Sequence, residues 1–288
     1  MPGSGLMPET IFVATFSPSL GADMRMNLPD AICFRVTRRC NARCGFCLAP
    51  TDGETADDAT LRHRLDWLLS HGVKTIHFCG GEPTIHPPLP DLLAHVRARG
   101  GKNRITTNAI EISDLVLSAL RATKTQVKVS LHGDRIYHNQ MVGCDGFDMT
   151  VRNLRRLIAA GVPTSVQTTV VADGTWVLDW AIDFCLGNAV TRLTVLPFLP
   201  RGKGYHRRDD YGFSIEQRSA LQDLVKKKRR ALGNRLDLRW LNLTACRIHV
   251  VEVDGRILLE GPTEARDDLV CEIPPMREAR STGSRNLR

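Results

Sequence analysis

The chain lacks any long apolar run. No stretch approaches the ~18 consecutive apolar residues of a membrane span. The N-terminal run Ile11 to Phe16 is too short for a secretory signal and has no basic residues before it. Aromatic residues are scarce at 6%, and none alternate with basic ones as a single-strand nucleic-acid platform requires. Acidic residues are outnumbered, 31 Asp and Glu against 39 Lys and Arg, for a net charge of +8. Such a balance attracts nucleic acid or phosphorylated ligands. Here, however, much of the excess sits in Lys226-Lys227-Lys228-Arg229-Arg230 and in the C-terminal tail. A charge run on a helix reads first as a solvated face, so nucleic acid stays a minor alternative.

What is present fits a soluble globular protein. Its 288 residues are 42% hydrophobic and 24% charged, enough for one large α/β domain or two small ones. Nine cysteines without a secretory leader point to a reducing, cytoplasmic setting and to cofactor chemistry rather than a disulfide frame.

Strand-like and helix-like segments alternate along the chain. Residues 1–30, rich in Pro, Gly and Ser, read as an irregular arm. Strands are expected at Ala31–Val36, Val73–Phe78, Arg104–Thr107, Val127–Leu131, Ser165–Val171 and Arg192–Phe198. Helices lie between them: from Asp57-Asp58 to Gly72, Leu89–Arg99, Ile112–Ala122, Val151–Ala160 and about Trp176–Leu186. The stretch His132 to Asp148 reads as a long loop. Strands alternating with helices of this length mean βαβ units and a parallel sheet, here a partial (β/α)6 barrel over residues 31–213. Ser214 with Gln217 is a capping-box signal for a helix to about Leu232. Short β-type runs follow at Leu236–Trp240, His249–Val253 and Ile257–Leu259, with Asp254-Gly255 as a hairpin turn. Residues 214–273 therefore form a C-terminal extension, and 274–288 a polar, disordered tail.

The chemistry is concentrated in two loops. Cys40-Asn41-Ala42-Arg43-Cys44-Gly45-Phe46-Cys47 has the spacing C-x3-C-x2-C with an aromatic before the last cysteine. Three thiolates hold three irons of a cubane cluster that normally takes four, leaving one metal position open as in catalytic sites. A zinc knuckle is the competing reading of three cysteines alone. The second loop, Cys79-Gly80-Gly81-Glu82-Pro83-Thr84, directly follows the second expected strand. Both loops fall at the carboxyl ends of strands, where barrel enzymes place their sites. Together they resemble the radical S-adenosylmethionine (SAM) superfamily.

The resemblance implies one [4Fe–4S] cluster held by Cys40, Cys44 and Cys47, with SAM chelated at the open iron. Reductive cleavage of SAM gives methionine and a 5′-deoxyadenosyl radical, with an external electron donor such as flavodoxin or ferredoxin. Phe46 would pack near the adenine, and Gly80, Gly81 and Glu82 would take the methionyl amine. Ser130, Thr107, Asn108, Gln167 or Thr169 would offer strand-end polar contacts, although each could equally bond its own loop. Leu199 and Pro200 would offer backbone bonds to adenine. His132 is placed for substrate.

Relatives with an auxiliary cluster carry a cysteine five positions after the glycine of the hairpin turn. In this chain that position is Glu260, and the extension holds only Cys246 and Cys271. A full auxiliary cluster would need Cys144 or Cys185 as well; without them the hairpin resembles a degenerate auxiliary domain, which leaves Cys246 as a free thiol. Sulfur–hydrogen bonds are weaker than alkyl carbon–hydrogen bonds, so Cys246 could return a hydrogen to a substrate radical; Cys144 and Cys79 are the other candidates. Free cysteine is also among the most buried residue types, and Cys33 and Cys185 read as core. The chain looks like radical enzymes that tailor aminoglycosides, of the neomycin C epimerase type. A polycationic substrate would need an acidic pocket, drawn from Asp52, Glu54, Asp134, Asp145, Asp148 or Glu260. The alternatives are a radical dehydrogenase with an auxiliary cluster and a metal-stabilised nucleic-acid-binding module.

Overall fold

The computed structural model describes residues 28–49 and 55–276. Its strands are β1 (Ala31–Thr37), β2 (Thr75–Gly80), β3 (Lys102–Thr107), β4 (Gln126–Ser130), β5 (Thr164–Val170), β6 (Arg192–Pro197), β7 (Asp237–Trp240), β8 (Ile248–Val251), β9 (Arg256–Glu260) and β10 (Asp268–Glu272). All ten belong to one open sheet in the order β10-β9-β8-β1-β2-β3-β4-β5-β6-β7. From β1 to β7 every pairing is parallel. β8 joins the other side of β1, also parallel, and β9 and β10 continue antiparallel. This is the expected partial barrel with a C-terminal hairpin, carried one parallel strand further by β7.

Helices fill the crossovers: α1 (Asp58–Ser70), α2 (Leu89–Ala98), α3 (Asp114–Ala122), α4 (Arg135–Val142), α5 (Phe147–Ala159), α6 (Val177–Gly187), the single turn α7 (Arg208–Tyr211) and α8 (Ile215–Leu232). Their starts follow local chemistry. The Asp57 side chain accepts from the Thr60 N–H at the head of α1, and Ser214 with Gln217 forms a full capping box on α8. Among the described residues no helix is long and apolar enough to cross a membrane.

Strand alternation decides what faces what. Ile32, Phe34 and Val36 of β1, with Ile76 and Phe78 of β2, pack with Leu61, Leu65 and Leu68 of α1 in the main core. Burial of each such side chain contributes about 1.5–3 kcal/mol. The alternate residues, Cys33, Arg35 and Thr37 on β1 and His77 and Cys79 on β2, lie on the opposite, inner face. That face is polar. It holds the site.

Two readings are corrected. The stretch His132 to Asp148 is not one long loop, because α4 occupies its middle. Its polar residues and flanking glycines hid the helix, although Asp134 caps its start and Gly143, at φ 68°, ends it. The extension also gains β10, a polar and largely exposed edge strand. Apart from residues 28–30 and 274–276, the expected arm and tail lie outside the described residues.

Candidate active site

The loop after β1 carries Cys40, Cys44 and Cys47 and is fastened from three sides. The tail of α4 supplies the first clamp: the Arg43 N–H donates to the Val142 carbonyl at 2.8 Å and the Gly45 N–H to that of Met141 at 3.3 Å. The turn after β2 supplies the second, through Gly81 N–H to the Thr37 carbonyl at 2.7 Å and Glu82 N–H to that of Arg39 at 2.8 Å. The third comes from the segment after β6, where the Gly204 N–H donates to the Cys47 carbonyl at 3.2 Å.

Gly80 and Gly81 have a packing role that the sequence did not disclose. A methyl carbon at Gly81 would sit 2.0 Å from the Arg39 carbonyl oxygen, and one at Gly80 2.2 Å from that of Thr37. What they permit is close contact between turn and cysteine loop. Glu82 is likewise engaged within the fold. It is buried, and its carboxylate accepts from the Thr84 N–H (3.0 Å), the Thr84 hydroxyl (2.7 Å), the Thr107 hydroxyl (2.7 Å) and the Asn108 N–H (2.7 Å). Burial holds its carboxyl above the ordinary glutamate range despite these four donors. Asn108 also donates its amide to the Asn41 side chain at 2.7 Å. Thr107, Asn108 and Glu82 thus join the exit of β3 to both loops.

Ser130 and Gln167 are register partners across β4 and β5, and both are half-buried. The Leu199 carbonyl already accepts from the Arg201 N–H at 2.9 Å. Phe46 packs with Met141, Val171 and Phe198, and its ring meets the His132 edge at a centroid distance of 4.6 Å. His132 accepts from the Thr169 N–H through Nδ1 at 3.0 Å, and its backbone N–H donates to His138 Nδ1 at 3.2 Å. Burial holds both imidazoles below their ordinary range, His138 down to about 4. They are neutral at pH 7.

The thiols divide into groups. Burial, with repulsion among the thiols and from Glu82, pushes Cys40 up to about 11; burial also raises Cys44 and Cys47. Cys144, just past α4, adds to the field felt by Cys40 and Cys44. Cys33 is not simple core: it hydrogen-bonds Cys79 and His77 on the inner face, and the Cys79 contact holds its thiol well below the ordinary value. Cys185 is core, pushed up to about 12 by burial. Cys246 lies half-buried in the link between β7 and β8, its N–H donating to the Asn242 carbonyl at 3.1 Å.

The expected acidic pocket does not form from the carboxylates that are described. Asp134 caps α4, Asp145 accepts from the Asn139 amide, Asp148 pairs with Arg135, and Glu260 binds two buried guanidiniums. Asp52 and Glu54 lie outside the described residues. A site the sequence did not disclose is the ionic cluster around Arg35. Arg35 pairs with Glu252 and Glu260, Arg38 with Glu252, and Arg201 with Glu260 and Asp267. An arginine inside the apolar run Ala31–Val36 was its one local signal.

A family model described as the Radical SAM superfamily matches residues 34–176, which include both loops. The chain belongs to the radical SAM superfamily. It is 26% identical over 267 residues to Fe-coproporphyrin III synthase of Methanosarcina barkeri, covering 88% of this chain and 64% of that protein. It is 29% identical over 226 residues to PqqA peptide cyclase of Xanthomonas euvesicatoria, covering 74% and 59%. The chain thus spans less than two thirds of the length of these relatives. Streptococcus suis SuiB bound to precursor peptide SuiA shares the fold, with a TM-score of 0.69 and 18% identity over 84% of this chain and 59% of that one.

The cofactors of this radical SAM protein are a [4Fe–4S] cluster and SAM. The donor set suits the cluster. Three half-buried, mutually repelling thiols on one clamped loop would lose proton and repulsion together on binding iron.

Proposed function

We propose that this radical SAM enzyme is a redox-neutral epimerase acting on a sugar carbon of an aminoglycoside. With cluster and SAM bound, a 5′-deoxyadenosyl radical is available to take a hydrogen from one face of that carbon. Cys246 returns one to the other face. Its S–H bond breaks, a C–H bond forms with inverted configuration, and one electron and one proton from an external flavodoxin- or ferredoxin-type donor restore the thiol.

The observation that carries this reading is Glu260. At the position where auxiliary-cluster relatives place a cysteine, a buried carboxylate is bound to Arg35 and Arg201. It supplies no thiolate. Cys246 and Cys271 are the two thiols of the extension, which leaves Cys246 available as the hydrogen donor in this reading. Attraction of a polycation does not come from Asp134, Asp145, Asp148 or Glu260, which are already engaged.

The test is incubation of the reconstituted enzyme with neomycin-type aminoglycosides in deuterated water. The expected result is one deuterium at one inverted carbon, with about four irons per chain. Cys246→Ala should still form 5′-deoxyadenosine and give no inverted product. A ketone product with about eight irons would make the enzyme a dehydrogenase. Full turnover by Cys246→Ala would reduce that residue to packing and move the donor role to another thiol.

A further inference from the structure

Phe46 stands directly before Cys47 and is the one aromatic side chain between Cys40 and Cys47. Its ring packs with Met141 of α4, Val171 just past β5 and Phe198 just past β6. It also lies edge-to-face with the His132 ring, at a centroid distance of 4.6 Å and an interplanar angle of 69°. His132 sits two residues beyond β4, where the Leu131 N–H still donates to the Gln167 carbonyl of β5 at 2.9 Å. Only 2% of its surface is exposed, and its contacts lead to three separate elements. Nδ1 accepts from the Thr169 N–H of β5, and the ring stacks on His138 of α4 at 5.7 Å, where the His132 backbone N–H also ends. Of these contacts, the one with Phe46 reaches the cysteine loop.

The position makes two demands on one side chain. A flat ring is needed against Phe46, and an acceptor is needed for a buried backbone N–H. Phenylalanine would meet the first alone and asparagine the second alone. Histidine meets both: with the Thr169 N–H on Nδ1, the single proton of the neutral imidazole sits on Nε2. We infer that His132 is a positioning residue for the metal site, holding Phe46 by ring contact and, through Phe46, the Cys47 ligand beside it. The rest of the loop is fixed by backbone bonds at Arg39, Arg43, Gly45 and the Cys47 carbonyl, and by the Asn41–Asn108 bond. Phe46 is its apolar anchor, and His132 braces that anchor from the β4 exit.

The inference rests on the cluster and not on the epimerase assignment. The test separates the two halves of the side chain. His132→Phe keeps a ring and leaves the Thr169 N–H without its acceptor; His132→Asn keeps an acceptor and removes the ring. Both variants lose stability, one through an orphaned N–H and the other through lost packing, so urea denaturation of the cofactor-free proteins should show both as weakened. Iron should tell them apart. After reconstitution, His132→Asn should lose iron to a chelator about three- to tenfold faster than wild type, with an altered EPR signal from the reduced cluster. His132→Phe should match wild type in both measurements. Phe46→Leu should reproduce the iron loss of His132→Asn, and the double variant should lose iron no faster than the worse single one, because both changes break the same contact. Wild-type iron retention in His132→Asn, equal loss in the two His132 variants, or additive losses in the double variant would each overturn the positioning role.

Discussion

Single residues here hold positions more than they announce roles. Thr107 and Asn108 are legible as strand-end polar groups and Glu82 as an anion in the turn after β2, but their mutual bonding is not, because sequence does not say which strand exits meet. His132 shows the same limit. Its neutrality comes first from burial and then from His138, neither of which can be read from its own position in the sequence. This pair yields a pH prediction. In the unfolded chain the His138 imidazole titrates near its ordinary 6.5, whereas burial brings it to about 4 in the fold. Between those values the unfolded state binds more protons, so the contribution is complete above the unfolded value and declines as pH falls. By pH 5 the loss from this one group is about 2 kcal/mol. Urea denaturation at pH 7 and pH 5 should show it. His138→Asn, which keeps an acceptor for the His132 N–H, should flatten the dependence; an unchanged slope would remove His138 as its source.

At the scale of elements, the βαβ repeat was readable because each unit carries its own period and its own stop. The helix α4 was not, since it is short, polar and bounded by glycines, yet it supports the cysteine loop more directly than any helix that was read. Gly143 is where the two meet. It adopts φ 68°, and a methyl carbon there would lie 2.8 Å from the Arg43 carbonyl oxygen. Gly161 has a similar φ of 73° with nothing within 4 Å. Each Gly→Ala change should therefore cost about 1–2 kcal/mol of backbone strain. Only Gly143→Ala should also displace the loop between Cys40 and Cys44. Iron retention after a chelator challenge separates the two outcomes: Gly143→Ala should lose iron several times faster than wild type, and Gly161→Ala should not. Equal retention would mean that the α4 clamp does not govern cluster stability.

Across the whole molecule, the connection that sequence could not supply is the one between the two ends of the described chain. β8 lies beside β1 without a crossover helix to signal it, and Arg35 finds Glu252 and Glu260 at separations of 217 and 225 residues. Charge balance explains why the cluster persists in the interior: Arg35, Arg38 and Arg201 face Glu252, Glu260 and Asp267, three against three. Glu252 bridges β1 to Arg38 at the head of the cysteine loop, so the extension and the metal site share one ionic framework. Arg201 is its most exposed weakness in energetic terms. It is buried, and its removal leaves Asp267 without its guanidinium and Glu260 with Arg35 alone. Breaking such a pair by deleting one partner costs about 3–5 kcal/mol, because a buried charge is left uncompensated. Arg201→Met should lower stability by an amount of that order, and Arg201→Met/Asp267→Asn should recover part of it by removing the orphaned charge. Burial alone would raise the Asp267 carboxyl; Arg201 outweighs it and holds the carboxyl below its ordinary value. Its contribution is therefore present above the unfolded carboxylate range and lost as pH falls through it. Denaturation of the single and double variants at neutral and acid pH checks both halves. If the double variant were no more stable than the single one, hairpin packing and not charge pairing would be what fastens the extension to the barrel.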